Sequence, residues 1–543
     1  MLDFASAWEE VVDVVAERDA LVQGARRLTY LEFDDAAARF ASAIESAGVS
    51  EGGKVALYLY NCPEYLIAQY GAFKHRAVPV NVNYRYLDDE LVYLLENSDA
   101  EVLVFHSSLS ACVERARPQL RAVRLFVEVD DDGAHVEGAT EFEELLAMHE
   151  PQARKPRSPD DLYLLYTGGT TGMPKGVMFP QGEFIETLLT GGLRLGLIGW
   201  VPNDREGVRK LVEELTASGP EVSIPCCPLM HGTGMWVGSM PVLLFGGTVV
   251  LLESRSFDAD EVWRLTEKEG ATRVVIVGDP FARPLLRALE AHESEGRPVD
   301  TSSVRHVISS GAIWSGEIKD GLRSRMNAML VDSLGSTEGL GFGGSAADRE
   351  RAASTAHFAL TPDTKVLSED GREISRGSGE AGILASRTAA FAYYKDPEKS
   401  ARTFLRIDGK GYVLTGDWAT VEEDGSVTLM GRGSMTINTG GEKVFAEEVE
   451  EAIKLHPAVE DCLVVGVPDE RFGQRVVAVI ASSNSERPTY DEIRDFLRSA
   501  LAHYKIPRAI VVRDVVQRAP NGKADYKWAR QMALGADAPN WSL

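Results

Sequence analysis

The chain has 543 residues, 44% hydrophobic and 26% charged, and 82 acidic against 57 basic side chains leave a formal charge of −25. This composition belongs to a globular chain of several folding units and excludes disordered and fibrous proteins. It also excludes bulk nucleic-acid binding, which needs a basic footprint, so an anionic ligand must be captured by a local site. The five cysteines form no CxxC pair and no metal-ligand spacing, which reads as reduced thiols. The start, Met1-Leu2-Asp3-Phe4, lacks a basic segment followed by an apolar one. A cytoplasmic location without a leader is the expectation.

In chain order, residues 31–47 carry apolar positions at helical spacing, 54–59 read as a strand, and 65–74 as a helix. Residues 77–82 read as extended, 87–96 as a helix and 101–105 as a strand. The alternation recurs at 274–277 and 304–309 and predicts α/β layers with largely parallel sheets. A charged, proline-bearing stretch at 151–159 precedes a strand at 162–166, and 204–214 reads as a helical surface insertion. Residues 222–252 contain no Lys, Arg, Asp or Glu. Prolines and glycines break the apolar runs well short of the ~18 residues of a membrane span, so buried strand and loop are expected there. After the glycine-rich turn at 431–434 a compact pattern begins, with a helix at 446–455, strands at 462–467 and 476–481, and a helix at 490–501. The expected domains are 1–432 and 433–543.

Directly after the strand at 162–166 comes Thr167-Gly168-Gly169-Thr170-Thr171-Gly172-Met173-Pro174-Lys175-Gly176-Val177. Glycines let the backbone approach a ligand, backbone N–H groups and Thr hydroxyls can cradle phosphate oxygens, and Lys175 adds a charge. The order is not that of a Walker A loop, in which Gly-Lys-Ser/Thr opens a helix. Read alone, the loop is equally a phosphate cradle or a surface turn.

With Tyr166 in front, this string resembles the signature loop of the adenylate-forming superfamily, which includes acyl-CoA synthetases, luciferases and peptide-synthetase adenylation domains. Further strings resemble the other motifs of that family, in order, from about residue 20 to residue 530. Pro228-Leu229-Met230-His231-Gly232 is similar to the acyl-pocket segment, in which His231 would gate the carboxylate site. Ser310-Gly311-Ala312 matches the turn against adenine. Asp332-Ser333-Leu334-Gly335-Ser336-Thr337-Glu338 resembles the adenine and Mg²⁺ motif, with Thr337 at the α-phosphate and Glu338 on the metal. Leu414-Thr415-Gly416-Asp417 resembles the ribose motif, where an ionised carboxylate makes charge-assisted bonds, and Arg432 matches the arginine near the ribose. Asn438-Thr439-Gly440-Gly441-Glu442-Lys443 is similar to the loop facing the CoA side, and Pro520-Asn521-Gly522-Lys523 to the loop carrying the adenylation lysine.

The resemblance implies a large N-terminal domain of stacked α/β sheets with a β-barrel-like part, and a small mobile α/β C-terminal domain. It implies ATP, Mg²⁺ and CoA as cofactors, Lys523, His231, Thr170 and Glu338 as catalytic residues, and an acyl pocket of His231, Gly232, Gly234, Met235, Trp236, Gly311 and Gly341. The chain departs from the family with Leu334 in place of a Tyr, Met435 in place of a polar hinge residue, Gln181 in place of a His, and Gln474 in place of a Glu. Strings at 163–172, 278–285, 341–344 and 437–444 are similar to actinobacterial acyl-CoA synthetases for sterol and bile-acid side chains, or for a bulky terpenoid acid. Gly232 stands where amino-acid-activating relatives carry a carboxylate for the substrate ammonium, so an amino acid is disfavoured. The glycines at 232, 234, 311 and 341 are expected to make a roomy lining. The expected activity is ATP-dependent activation of a bulky polycyclic acid to acyl-AMP, then thioester formation with CoA. Transfer of acyl-AMP to a separate carrier or partner ligase, and an inactive nucleotide-binding homologue, are the alternatives. The expected partners are these small molecules, with no nucleic acid and no membrane span, and a homodimer is left open.

Overall fold

The computed structural model describes residues 1–534 except 168–172, 220, 313, 340, 342, 348–355, 408, 440–441, 470–472, 483–486, 499, 502 and 520–521. The chain divides into two compact units, residues 1–355 with 387–413, and residues 356–386 with 414–543.

Three sheets build the first unit. In the largest, the strands lie in the order Arg26–Thr29, Asp19–Gln23, Thr248–Leu251, Val222–Pro225, Arg273–Ile276, His306–Ser310, Met329–Leu334 and Gly343–Ala347. The six from Asp19–Gln23 to Met329–Leu334 pair in parallel, and an antiparallel strand closes each end. Val274, Val275 and Ile276 are fully buried, as expected of a parallel strand covered by helices on both faces. The second sheet is parallel throughout, in the order Val78–Asn81, Lys54–Tyr58, Ala100–His106, Leu125–Val129, Thr140–Glu141. The third is antiparallel: Leu162–Thr167 pairs Lys175–Pro180, which pairs Ala392–Tyr393. The expected parallel α/β layers are present, with this hairpin added.

Between the layers lies the helix Pro63–His75, every residue of which is buried. It packs against the helix Tyr30–Ser46, whose start is closed by a capping box of Thr29 and Glu32. The contact is close at Gly71, where an added Cβ would lie 2.7 Å from the Ala37 carbonyl oxygen and 2.8 Å from Phe40. The stretch read as a helical surface insertion is the helix Arg205–Ser218, with Glu206, Lys210, Glu213 and Glu214 exposed. Its charged face bonds Arg205 and Arg209 to Glu10, and its apolar stripe buries Val208, Leu211 and Val212 in the core. Among the described residues no helix is long and apolar enough to cross a membrane.

In the second unit, antiparallel strands follow the order Thr364–Leu367, Ala381–Arg387, Lys410–Val421, Val427–Arg432, His357–Leu360; the division into units falls within Lys410–Val421. A separate sheet holds Glu442–Phe445, Thr436–Thr439, Gly473–Ser482, Val459–Asp469 and Ala509–Arg513. Alternation along Val459–Asp469 sends Cys462 and Val464 to a core with the helices Ala446–Lys454 and Tyr490–Leu497. Leu463, Val465 and Val467 go to a second core under the helix Tyr526–Leu534.

Gly71→Ala should lower stability by about 1–3 kcal/mol through overpacking against the Ala37 backbone. The check is a lower urea midpoint at unchanged slope.

Candidate active site

The parallel strands end side by side. Their registers place Pro225 beside Val275, Ile276 beside Ser309, and Ser310 beside Ser333. Beyond these carboxyl ends run the His231 segment, the Gly311-Ala312 turn and the Gly335–Glu338 turn. Ligands of open α/β sheets bind outside this edge.

Two asparagines hold the His231 segment. Asn81, at 7% exposure, donates from Nδ2 to the carbonyls of Tyr166 and Met230, each at 2.8 Å, and its Oδ1 accepts the Tyr166 N–H at 2.6 Å. Asn61 accepts from Leu229 N–H at 2.8 Å and donates to the Cys227 carbonyl at 3.2 Å. Buried backbone that is neither helix nor strand needs such partners. His231 follows, half-buried, its N–H donating to the Pro228 carbonyl at 3.1 Å. One turn of π-helix, Thr233–Val237, comes next, and the Thr233 hydroxyl donates to the Ser310 carbonyl at 3.2 Å.

The roomy glycine lining is corrected at two positions. A Cβ on Gly234 would lie 2.4 Å from the Pro228 carbonyl oxygen, and one on Gly232 would lie 2.7 Å from the Trp236 ring. These glycines permit close packing of the turn rather than opening space. Met235 and Trp236 point into the core: Met235 meets Gln69, and Trp236 donates to the Tyr163 hydroxyl at 3.0 Å between Phe179 and Phe184. Gly341 differs, with φ +145° and, among the described residues, nothing within 4 Å of an added Cβ. Gly311, at φ +98°, makes the turn before Ala312, which packs on the core beneath the sheet.

The glycine- and threonine-rich loop is closed at its base by the pairing of Thr167 with Lys175. Gly168, Gly169, Thr170, Thr171 and Gly172 lie outside the described residues. Lys175 forms an ion pair with Asp396 at 3.0 Å, and both Lys175 and Lys399 stand over the Tyr393 ring, at 5.7 and 5.3 Å from its centroid. Burial, and then the neighbouring Lys175 cation, push the Lys399 ammonium down. The Tyr393 hydroxyl donates to Glu338 Oε1 at 2.9 Å, and burial followed by the Glu338 charge pushes its pKa up. Thr388 donates to the Glu338 carbonyl. The segment 388–399 carries no motif in the sequence; pairing of Ala392 and Tyr393 with Met178 and Val177 brings it to the loop.

Asp332 forms a buried ion pair with Lys319 at 2.8 Å, their side chains 5% and 2% exposed, over the Trp314 ring. The carboxylate thus anchors the strand end from which Ser333, Leu334, Gly335, Ser336 and Thr337 emerge. Leu334 is buried and pairs with Gly343. Gln181, in place of the family's His, accepts from the Phe4 N–H at 3.1 Å.

The remaining candidates belong to the second unit. Asp417 is buried, its N–H donates to the Thr415 hydroxyl oxygen at 3.0 Å, and it sits opposite Arg432 in the ladder. Met435 packs on the C-terminal core. Glu442 and Lys443 pair with Thr439 and Asn438, forming a hairpin whose tip, Gly440-Gly441, lies outside the described residues. Lys523 is exposed, and its carbonyl accepts from Ala519 N–H at 2.8 Å.

The description "AMP-binding enzyme" matches residues 8–392, and "AMP-binding enzyme C-terminal domain" matches residues 448–523. The chain belongs to the AMP-binding enzyme family. It is 41% identical over 542 residues to a medium/long-chain-fatty-acid–CoA/3-oxocholest-4-en-26-oate–CoA ligase of Mycolicibacterium smegmatis, covering 98% of this chain and 96% of the relative. A 3-oxocholest-4-en-26-oate–CoA ligase of Rhodococcus rhodochrous is 40% identical over 539 residues, covering 97% and 95%. The crystal structure of the anthranilate CoA ligase AuaEII in complex with anthranoyl-AMP has the same fold, with a TM-score of 0.83 at 22% identity over 98% of this chain and 97% of that one. The resemblance read in the sequence, to the superfamily and to actinobacterial ligases for sterol side-chain acids, is borne out by these relatives.

AMP-forming CoA ligases use Mg²⁺, and the one described carboxylate on the Tyr393 hydroxyl, beside the base of the loop, is that of Glu338. Among the described residues no group of three or more His, Cys, Asp or Glu side chains could hold a metal.

Asn81→Leu should destabilise the AMP-binding enzyme by about 3 kcal/mol or more, because it leaves three buried backbone groups without their partner. Lys319→Met should cost about 3–5 kcal/mol by stranding the Asp332 carboxylate. Chemical denaturation checks both.

Proposed function

We propose that the chain is an AMP-forming acid–CoA ligase that activates a fatty or sterol-derived carboxylic acid, with a bulky polycyclic acid as its preferred substrate. The observation that carries the reading is the meeting of Lys175, Tyr393 and Glu338 at the base of the glycine- and threonine-rich loop. The identity of about 40% to ligases named for fatty and sterol-derived acids supports it.

A carboxylate is a poor electrophile, and a thiol does not displace oxide from it. Attack of its oxygen on the α-phosphate of ATP forms an O–P bond and expels pyrophosphate. Thiolate attack on the resulting acyl-AMP then forms the thioester and expels AMP. The first step gathers anions, so it needs fixed positive charge and donors. Mg²⁺ bound by Glu338 would neutralise phosphate charge. Thr170 and Thr171 would hold phosphate oxygens, with Lys175 beside them, and Lys523 would stabilise the charge that develops at the reacting oxygens. His231 would orient the carboxylate, Asp417 would accept the ribose hydroxyls with Arg432 nearby, and the turns at 311–312 and 333–337 would flank the base and α-phosphate. The C-terminal section from about residue 433 would act as a lid, with Gly440, Gly441, Glu442 and Lys443 on the CoA side.

The open space at Gly341, and a glycine rather than a carboxylate at position 232, support a bulky apolar acid. Met435 packed on the C-terminal core supports a second reading, in which an apolar hinge slows the lid and acyl-AMP passes to another acceptor.

Lys523→Ala should lower pyrophosphate release by ~10²–10³, as loss of one preorganised charge does; release at the wild-type rate refutes that role. Gly441→Trp should spare acyl-AMP formation and stop thioester formation, and equal loss of both steps counts against the lid reading. Mass spectrometry with ATP, Mg²⁺ and CoA across fatty, aryl, bile-acid-like and terpenoid acids tests the substrate. Acyl-CoA and AMP from the polycyclic members support it. Acyl-AMP that never becomes acyl-CoA favours the second reading.

A further inference from the structure

Lys523 lies in a short loop whose two ends are both tied to one strand, Val459–Asp469. On the leading side, Arg518 donates from Nε and Nη2 to the two oxygens of Asp461, at 2.6 and 2.7 Å, and from Nη1 to the Gly522 carbonyl at 3.1 Å. Asp461 is itself fixed, because its Oδ1 accepts the Cys462 N–H at 2.8 Å. The loop closes internally: Ala519 N–H donates to the Lys523 carbonyl and Gly522 N–H to the Ala519 carbonyl, both at 2.8 Å. Gly522 has φ +72°, a conformation that a side chain would strain. On the trailing side, Asp525 accepts the Trp528 N–H at 2.9 Å at the start of the helix Tyr526–Leu534, which buries Ala529 and Ala533 against the same strand.

A planar guanidinium spanning a carboxylate and a carbonyl fixes direction as well as distance. A lysine ammonium on the same stem could reach only part of that set. Burial works against the Arg518 cation, but the Asp461 bonds hold it above its ordinary range, while the same bonds outweigh burial to hold Asp461 below the usual carboxylate range.

We propose that Arg518, clamped on Asp461 and bonded to the Gly522 carbonyl, is a positioning residue that aims Lys523 for the adenylation step. The inference rests on the adenylation role of Lys523 proposed above. Without the clamp the loop keeps its lysine but loses the fixed take-off of its backbone, and a misplaced catalytic group loses rate even when its chemistry is intact. In the proposed function Lys523 serves the adenylation step, so the step in which CoA attacks acyl-AMP should not depend on the clamp.

The full-length chain is assayed as wild type, Arg518→Met, Arg518→Lys, Asp461→Asn and Lys523→Ala. The acid is the one that wild type converts fastest. Pyrophosphate release from ATP plus that acid reports the first step, and thioester formation from its synthetic acyl-AMP plus CoA reports the second. Thermal unfolding of each variant is recorded alongside. Arg518→Met and Asp461→Asn should each slow pyrophosphate release about ten- to hundredfold, Arg518→Lys should recover part of that loss, and thioester formation should stay within about twofold of wild type. Equal loss of both steps, tracking a lowered unfolding temperature, would reduce the clamp to a structural pair and overturn the proposal. Unchanged pyrophosphate release in folded Arg518→Lys and Asp461→Asn would overturn it as well. If Lys523→Ala releases pyrophosphate normally, the role of Lys523 falls first and the clamp with it. If Lys523→Ala is impaired and the clamp variants are not, only the clamp fails.

Discussion

Asn81 holds two distant stretches of chain by their backbones, and the first unit's candidate site is built around that bond set. One side chain meets the N–H and C=O of Tyr166 and the C=O of Met230. The first lies just ahead of the glycine- and threonine-rich loop, the second just ahead of His231. The outer side of the edge strand at Tyr166 and the irregular backbone at Met230 lack ladder partners, and a buried amide supplies a donor and an acceptor without bringing in a charge. Asn61 repeats the device on Cys227 and Leu229. Between them the two amides satisfy backbone groups of Cys227, Leu229 and Met230 without placing a charge in that segment.

The charged groups solve a different problem. A chain with a formal charge of −25 must gather anionic substrates against its own field. The cations near the loop are therefore placed rather than abundant. Lys175 and Lys399 share one aromatic ring, with Asp396 and Glu338 beside them. Burial partly desolvates the Lys399 ammonium, where a charge acts more strongly than it would in water. Elsewhere buried charges are paired: Lys319 with Asp332 in the first unit, Arg518 with Asp461 in the second. In both, the pair fixes the chain just before a turn that bears candidate site residues.

Much of the fold was legible because its signals are local. Buried parallel strands read as short β-branched runs, as at 274–276, and the helices read from their apolar spacing. The ordered motif strings likewise pointed to the family, since each depends on residue types within a few positions. The glycines show the limit of this reading. Gly232, Gly234 and Gly341 look alike in sequence, yet two of them are closed by a carbonyl and a ring while the third faces open space. The same holds for Met235 and Trp236, whose apolar character suits a pocket or a core equally well.

The sequence by itself determined the family, the α/β class and the residue types available for nucleotide chemistry, because these follow from short strings and periodicities. Only the tertiary structure decided which residues stand together. Asn81 reaches Met230 across 149 positions, Tyr393 reaches Glu338 across 55, and Arg518 reaches Asp461 across 57. Pairings over such separations depend on sheet order and packing, which sum many weak contacts along the whole chain, and no local pattern encodes them.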